Sequence, residues 1–153
     1  MTSCSNSQAD ERGAKQAIVP EGMEWAVEQF GFSPAVRAGD FLYLSGIVAG
    51  LPQDEDGVIA PATEENLTAA YEQAFAAIGT VLAAGGADFD DVVDITTYHT
   101  DLAGQVDTIM VVKNRYIKAP HPAWTAIDID RLFIENGVTE IKITAYAPLN
   151  REK

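Results

Sequence analysis

The sequence is poor in the residues that most often build metal and thiol sites. Its 153 residues include one cysteine, Cys4, and two histidines, His99 and His121. One thiol excludes an internal disulfide and any zinc site built on cysteines, and neither histidine has a second ligand at helical spacing. Gly85 and Gly86 end a predicted helix and lack the helix start that a phosphate-binding loop requires. We therefore expect no metal and no cofactor.

Positive charge is also scarce. Ten lysines and arginines stand against 23 aspartates and glutamates, which gives a net charge of −13. This charge repels phosphate backbones and anionic lipid, and the basic residues form no cluster, so we expect neither nucleic acid nor a membrane as partner. A small neutral or cationic ligand, or self-association, is more compatible with this charge.

Long apolar runs are missing as well. No stretch approaches the roughly 20 apolar residues of a membrane span. The first residues also lack the basic and apolar segments of a secretory signal. The length and the 47% hydrophobic content suit one core. We expect a soluble, cytoplasmic protein with a flexible polar tail at residues 1–17 and one domain at residues 18–153.

Helical spacing is clearest between residues 64 and 84. Thr63 is a suitable N-cap, Glu64 and Glu65 follow it, and apolar residues recur on one face until Gly85. A second helix is predicted over residues 105–118. Both helices would pack an apolar face against a sheet.

Strands are predicted over residues 41–48, 92–100, 123–132 and 140–149. The first is apolar throughout, which is typical of a strand buried on both faces. The others alternate. Residues 23–32 fit neither period and receive no assignment. The pattern predicts a two-layer α+β domain with a mixed sheet and two helices on one face.

The last two predicted strands each have one apolar face. We expect the faces that contain Ile141 and Ile127 to lie beneath the helices. The opposite faces, together with that of the strand at 92–100, would then share Tyr98, Trp124, Thr144 and Tyr146. From the residues alone, this second face is equally compatible with a solvated surface, a subunit interface or a pocket wall, with an interface slightly favoured because aromatic residues and threonine outnumber lysine and glutamate.

Four motifs in order resemble the YjgF/Rid (reactive-intermediate deaminase) family, also labelled endoribonuclease L-PSP. They are VRAGDFLYLSG at residues 36–46, LAAGGADFDDVV at 82–93, TTYHTDL at 96–102 and PHPAWT at 120–125. The resemblance covers residues 36–149. It implies a chorismate-mutase-like α+β fold and a homotrimer with a small-molecule cleft at each subunit interface.

In deaminating members of that family, an arginine in a P-A-R-(S/T) segment binds the substrate carboxylate, and a glutamate on the last strand orients the attacking water. Here Trp124 occupies the arginine position, and an indole cannot form a bidentate pair with a carboxylate. The glutamate position falls on Lys142 or Thr144, with Glu140 displaced along the same face. The cleft asparagine corresponds to Met110. Standard 2-imino acid deaminase activity is therefore not expected.

The resemblance implies a ligand-binding cleft but leaves its catalytic residues unknown. The predicted cleft residues are Ser45, Gly46, Met110, Trp124, Thr125, Lys142 and Thr144. One hypothesis is an enzyme of altered specificity, acting on an aromatic or uncharged imine, enamine or related metabolite with Trp124 as a stacking platform. The alternative is a non-catalytic trimeric module for metabolite binding or protein interaction. Trp124 either lines the cleft or fills it, and Lys142 binds an anion unless Glu140 neutralises it.

Overall fold

The computed structural model describes residues 15–150. They form seven strands and three α-helices, with a 3₁₀ turn at Phe89–Asp91. In chain order the elements are β1 (Gln16–Ile18), α1 (Glu24–Phe30), β2 (Ala35–Ala38), β3 (Phe41–Leu44), β4 (Ile47–Gly50), α2 (Glu64–Ala84), β5 (Val92–His99), α3 (Leu102–Tyr116), β6 (Ala123–Asp128) and β7 (Gly137–Tyr146).

All seven strands belong to one mixed sheet. Its order is β1-β2-β3-β7-β5-β6, and β4 pairs with β7 beyond the end of β3. Phe41 of β3 lies opposite Tyr146, and Ile47 of β4 lies opposite Ile141. The two strands therefore form one interrupted line along β7, with the break at residues 45–46. Strands β5 and β6 are parallel and are connected through α3, the crossover that a parallel pair requires.

Helices α2 and α3 cover one face of the sheet and enclose the core. Tyr71, Phe75 and Ile78 of α2 are fully buried, as are Ile141 and Ile143 of β7. The prediction of a helix over residues 64–84 is confirmed. The second helix begins three residues before the predicted start, at Leu102, where the Asp101 carboxylate accepts a hydrogen bond of 3.2 Å from the Gly104 amide. The predicted α+β class, with a mixed sheet and two long helices on one face, is confirmed.

One helix within residues 15–150, α2, is long and apolar enough to span a membrane by length and composition. The sequence analysis found no such segment. The apolar face of α2 packs into the core, through residues such as Leu67, Ala74 and Leu82. A core helix passes the same test, so this property is weak evidence for a membrane span.

The single strand predicted at residues 41–48 is wrong. The chain forms two short strands there, and only one face of β3 is buried. Leu42 and Leu44 lie in the core, whereas Phe41 and Tyr43 are 38% and 45% exposed on the face of the sheet that no helix covers. We call this the open face. A strand with apolar residues on both sides can be buried on both faces, or it can be buried on one face and expose an apolar patch on the other. The sequence does not distinguish these two cases.

The predicted orientation of β6 is also wrong. In register with β5, Trp124 lies beside the buried Ile95, and Ile127 lies beside Tyr98. Trp124 and Asp128 therefore face the helices, and Ile127 faces the open side. The Asp128 carboxylate accepts a hydrogen bond of 3.0 Å from the Leu102 amide at the start of α3. An exposed polar anchor for a helix thus lies on the helix-covered side of β6, and this reverses the orientation inferred from hydrophobicity.

Other boundaries differ by a few residues. Residues 16 and 17, assigned to the polar tail, pair with β2 as part of β1, and the tail before residue 15 lies outside the described residues. The unassigned segment 23–32 contains α1. Strand β6 ends at Asp128, and β7 starts three residues before the predicted position. A register shift between Val92 and Asp94 exposes Val93, although the alternation predicted for residues 92–100 would place it on the same face as Ile95.

Candidate functional site

The break between β3 and β4 opens onto a cavity of about 490 Å³. Of the seven residues predicted for the cleft, Ser45 and Gly46 line this cavity. The other lining residues are mostly apolar or aromatic: Met23, Trp25, Ala26, Phe30, Phe32, Pro34, Ile47, Val48, Ala77, Val81, Phe133, Ile134 and Glu140. This composition, a largely apolar wall with few polar groups, is typical of a small-molecule site. We call it the Ser45 cavity.

Four aromatic rings form one wall of the Ser45 cavity. The Trp25 ring lies 5.9 Å from Phe30 and 6.1 Å from Phe32, nearly perpendicular to both, and Phe133 lies 6.5 Å from Phe30. All four rings remain substantially exposed, from 39% for Phe32 to 92% for Phe133. We call these residues the aromatic wall.

A helix end brings the aromatic wall together. Helix α1 ends at Gly31, which has a left-handed backbone with φ of 70°. The amides of Gly31 and Phe32 donate to the carbonyls of Val27 and Ala26, each at 3.1 Å. The bond from Gly31 to the carbonyl four residues earlier is the αL capping motif, and glycine accommodates its positive φ without strain. The chain reversal brings Phe32 back beside Phe30.

Glu140 is the only ionisable residue among those that line the Ser45 cavity. Its carboxylate lies against Gly46, where a Cβ atom would overlap it. Residue 46 therefore has to be glycine for this placement of the carboxylate. Within residues 15–150 the Glu140 carboxylate has no hydrogen-bond or ion-pair partner. It is a half-buried charge, at the cavity wall, that is not neutralised by the protein.

Lys142 does not pair with Glu140, although the two share the open face. The Lys142 Nζ atom instead lies 3.4 Å from the Leu44 carbonyl oxygen, at the end of β3. The hydroxyl of Ser45 is also engaged, since it donates a hydrogen bond of 2.7 Å to the Ser33 carbonyl. Ser45 therefore offers a ligand its oxygen lone pairs and the adjacent backbone.

Trp124 lies away from the Ser45 cavity, on the helix-covered face of the sheet. It is half-buried and packs against the core. Its indole N–H donates a hydrogen bond of 3.0 Å to Thr97 Oγ1, and the Nζ atom of Lys113 lies 5.1 Å from its ring centroid. Lys113 is 6% exposed and donates a hydrogen bond of 2.8 Å to Asn114. These contacts fix the indole and place a cation against one of its faces.

A buried polar network lies directly behind Trp124. His99 Nε2 is 2.8 Å from Thr97 Oγ1, and His99 Nδ1 is 3.2 Å from Gln105 Oε1. The Thr139 hydroxyl lies 3.1 Å from His99 Nδ1 and 2.9 Å from the Tyr71 hydroxyl. Thr97, His99, Gln105, Thr139 and Tyr71 form what we call the His99 network.

The direction of the hydrogen bonds in the His99 network follows from its acceptors. The Gln105 carbonyl oxygen only accepts, so His99 Nδ1 carries the proton and Nε2 accepts from the Thr97 hydroxyl. The Thr97 oxygen in turn accepts from Trp124. Neutral His99 therefore satisfies every member, and within the described residues no buried side-chain polar atom lacks a partner.

Burial dominates the pKa shifts in this region. Desolvation lowers the pKa of His99, against the opposing effects of its hydrogen bond with Gln105 and of the Asp128 charge. Desolvation also lowers the pKa of Lys113 and raises the pKa of Tyr71 to about 12. The shifts of His99 and Tyr71 both favour the neutral form that the network requires.

The remaining predicted cleft residues do not gather at the Ser45 cavity within one chain. Met110 is 41% exposed on α3, and Thr125 lies on the open face with Thr144 and Lys142. Sequence reasoning missed the aromatic wall, because its members come from α1 and from the loop before β7. The detectable signal is the set of aromatic residues in segment 23–32.

No group of three or more histidine, cysteine, aspartate or glutamate side chains in residues 15–150 is arranged to hold a metal ion. The charges of the site are therefore those of isolated side chains, chiefly Glu140 at the Ser45 cavity and Lys113 beside Trp124.

Comparison with known sequences identifies the family. The profile described as Endoribonuclease L-PSP matches residues 26–147. The chain belongs to this family. The resemblance inferred from the four motifs is therefore confirmed, and the L-PSP family is also the YjgF/Rid family to which the related structures are assigned.

Two curated proteins are clear relatives of this L-PSP family member. The RutC family protein YjgH of Escherichia coli is 35% identical over 135 residues, covering 88% of this chain and 96% of that protein. The chloroplastic Reactive Intermediate Deaminase A of Arabidopsis thaliana is 32% identical over 114 residues, covering 74% of this chain and 57% of that protein.

Solved structures confirm the chorismate-mutase-like fold. The structure of protein YjgH has a TM-score of 0.66 at 34% identity and covers 88% of this chain and 97% of its own. RidA from an Antarctic Psychrobacter has a TM-score of 0.58 at 26% identity, with coverage of 75% and 87%. A YjgF/YER057c/UK114 family member from Mycobacterium tuberculosis, at 23% identity and a TM-score of 0.69, agrees in fold alone; it covers 88% of this chain and 100% of its own.

Proposed function

We propose that this protein hydrolyses small imines or enamines that carry no carboxylate, and that it works in the cytoplasm. The observation that carries the proposal is the unpaired Glu140 carboxylate beside Gly46, at the wall of an apolar cavity. A carboxylate in that position is suited to take a proton from water as the water attacks the imine carbon. Return of that proton to the carbinolamine nitrogen lets the C–N bond break, which releases ammonia or an amine and leaves a carbonyl compound.

The absence of a cationic fork is the basis for excluding carboxylate substrates. The family resemblance implies that Trp124 stands at the position of the arginine of deaminating members, and its indole is held by Thr97 and Lys113. An indole offers one N–H, which Thr97 already accepts, so it cannot provide a bidentate contact to a substrate carboxylate. Apolar substituents on the imine would instead contact the walls of the Ser45 cavity.

We also propose a homotrimer with a ligand cleft at each subunit interface, as the family resemblance implies. Support comes from the open face, where Phe41, Tyr43 and Tyr146 form an exposed aromatic patch with Phe41 and Tyr146 5.3 Å apart. Contiguous apolar patches of this kind mark interaction surfaces. Light scattering should give the mass of three chains, and Phe41→Glu should lower it. A monomer mass for the unaltered protein would contradict this part of the proposal.

The enzymatic proposal is tested with two imines generated in situ. An amino acid oxidase supplies 2-iminobutyrate, and a flavin-dependent amine oxidase supplies the imine of phenylethylamine, with the rate of ammonia release as the readout for both. We expect faster hydrolysis of the second imine only, and loss of that acceleration in Glu140→Gln. Glu135→Gln, which changes an exposed acid outside the cavity, is the control. Accelerated hydrolysis of 2-iminobutyrate would contradict the proposed specificity.

A second candidate is a non-catalytic trimer that binds a metabolite or a partner protein. The engaged Ser45 hydroxyl and the fixed Trp124 favour it, because neither group is free to follow a reacting substrate. Ligand binding without acceleration of either imine would support this candidate over the enzyme.

A further inference from the structure

We propose that the Ser45 cavity is a site for organic ammonium ions, with Glu140 as the counter-charge and the aromatic wall as the enclosure. The inference deepens the proposed function, because a protonated imine is itself an organic cation. The inference rests on that proposed function only in so far as the protein hydrolyses the cation that it binds. Binding of a stable ammonium ion is a separate and measurable property.

The first support is the charge of the cavity. Glu140 is the single ionisable residue among the lining residues, and it has no partner within residues 15–150. Its neighbour Lys142 is directed to the Leu44 carbonyl instead of to the carboxylate. A partly desolvated carboxylate without a counter-ion favours a cationic ligand over a neutral or anionic one. The net charge of −13 adds a long-range attraction for cations.

The second support is the arrangement of the aromatic wall. Trp25 is nearly perpendicular to Phe30 and to Phe32, with interplanar angles of 89° and 82°. The rings therefore stand as separate walls and do not stack face to face. Aromatic faces around a charged centre stabilise quaternary and tertiary ammonium groups through the negative ring quadrupole, and this is the design of aromatic cages.

The third support is size and polarity. About 490 Å³ is enough for a cation with several carbon substituents. A primary ammonium ion requires several hydrogen-bond acceptors to replace water, whereas this wall is almost entirely hydrocarbon. The ligand class is therefore an alkylated ammonium or an iminium with apolar substituents, whose charge is spread over carbon and whose desolvation costs less.

The test compares a cation with a neutral molecule of the same shape. Choline and 3,3-dimethyl-1-butanol, which replaces the ammonium nitrogen with carbon, are titrated against the full-length protein by ligand-detected NMR. We expect choline to bind more tightly. Glu140→Gln should weaken choline binding by about fivefold or more and leave the alcohol unchanged, because only the cation interacts with the carboxylate charge. Glu135→Gln, an acid outside the cavity, should leave both unchanged.

A second variant tests the aromatic contribution without touching Glu140. Trp25→Leu keeps the wall apolar and removes the indole face, at a residue that is 47% exposed and unimportant for the core. Trp25→Leu should lower the preference for choline over the alcohol, again by about fivefold. This variant also provides a test of the site if Glu140→Gln does not fold. Equal binding of the two ligands, no binding of either, or a preference that both variants leave intact would overturn the inference.

The outcome is distinguishable from that of the imine assay. Selective choline binding without imine hydrolysis would contradict the enzymatic proposal alone. Imine hydrolysis by a protein that shows no preference for choline over the alcohol would contradict the ammonium site alone.

Discussion

The indole nitrogen of Trp124 donates a hydrogen bond of 3.0 Å to the hydroxyl of Thr97. The same hydroxyl lies 2.8 Å from His99 Nε2, so Trp124 is linked to a buried histidine through one threonine. Trp124 is therefore part of a polar network that extends into the core, as well as a half-buried ring beside Lys113. Its orientation therefore depends on Thr97 of β5 and Lys113 of α3.

Thr97→Val should destabilise the protein by about 1–3 kcal/mol. Valine fills the same volume but leaves the Trp124 N–H and His99 Nε2 without their partner in a buried site. Urea unfolding followed by circular dichroism measures the change. Thr96→Val is the matched control, because Thr96 is the neighbouring threonine on the opposite face of β5, and its replacement should cost less than about 0.5 kcal/mol. Equal effects of the two variants would contradict the role of Thr97.

His99 should make the folded state less stable in mild acid. Burial lowers the pKa of His99 in the folded state, whereas the unfolded chain has the ordinary value of about 6.5. Below pH 6.5 the unfolded state binds a proton at His99 before the folded state does. The contribution of neutral His99 to the free energy of unfolding is therefore fully present above pH 6.5 and is lost as the pH falls through the folded-state pKa. Protonation of His99 Nε2 would also direct its N–H at the Thr97 oxygen. The Thr97 hydroxyl hydrogen would then lose Nε2 as its acceptor.

The measurement is the free energy of unfolding as a function of pH in two histidine variants. His99→Gln should flatten the dependence below pH 6.5, at a cost in stability at neutral pH. The control is His121→Gln. His121, the other histidine of the chain, is exposed, and its replacement should leave the profile unchanged. A profile that is the same in His99→Gln and in the unaltered protein would assign the acid sensitivity to other groups.

The sequence was sufficient for the fold because most of its signals are local. The cap at Thr63, the helical spacing after it and the alternation of β7 each specify one element within a few residues. Local patterns of this kind do not show which face of β6 packs against the helices. Trp124 faces the helices because Thr97 and Lys113, on two other elements, provide polar partners there, and no pattern within β6 contains that information.

The site was harder to predict than the fold for the same reason. Ser45 and Gly46 were found through a motif, but Glu140 reaches them from β7 and the aromatic wall comes from segments near residues 25–32 and 133. These contacts depend on the break between β3 and β4. The sequence instead predicted one continuous strand across that break.

Gly46→Ala should move the Glu140 carboxylate with little effect on stability. The new methyl group would overlap Oε1, Cδ and Cγ of the flexible Glu140 side chain, so the whole side chain has to change rotamer, at a cost of about 1 kcal/mol. Choline binding should therefore weaken in Gly46→Ala about as much as in Glu140→Gln. In the double variant the second change should add nothing, because both act on the same carboxylate. Additive losses would place Gly46 and Glu140 in separate interactions.

Arg37→Met should be the most destabilising of these changes, by about 2–4 kcal/mol. Arg37 is 5% exposed, and its guanidinium donates to the Ala147 carbonyl at 2.7 Å and to the Gly85 carbonyl. It therefore joins β2 to the ends of β7 and α2, and its loss leaves two buried carbonyls without donors. Arg37→Lys should retain part of the stability, because one ammonium cannot reproduce the fork that spans both carbonyls.

The control for Arg37 is the exposed ion pair between Arg115 and Glu72. The side chains there are 53% and 34% exposed, and solvent screens such a pair, so Arg115→Met should cost less than about 1 kcal/mol. Urea unfolding of the three variants should therefore order them Arg37→Met, Arg37→Lys and Arg115→Met, from the largest loss to the smallest. If Arg115→Met cost as much as Arg37→Met, the buried carbonyl contacts would not be what stabilises the junction of β2, β7 and α2.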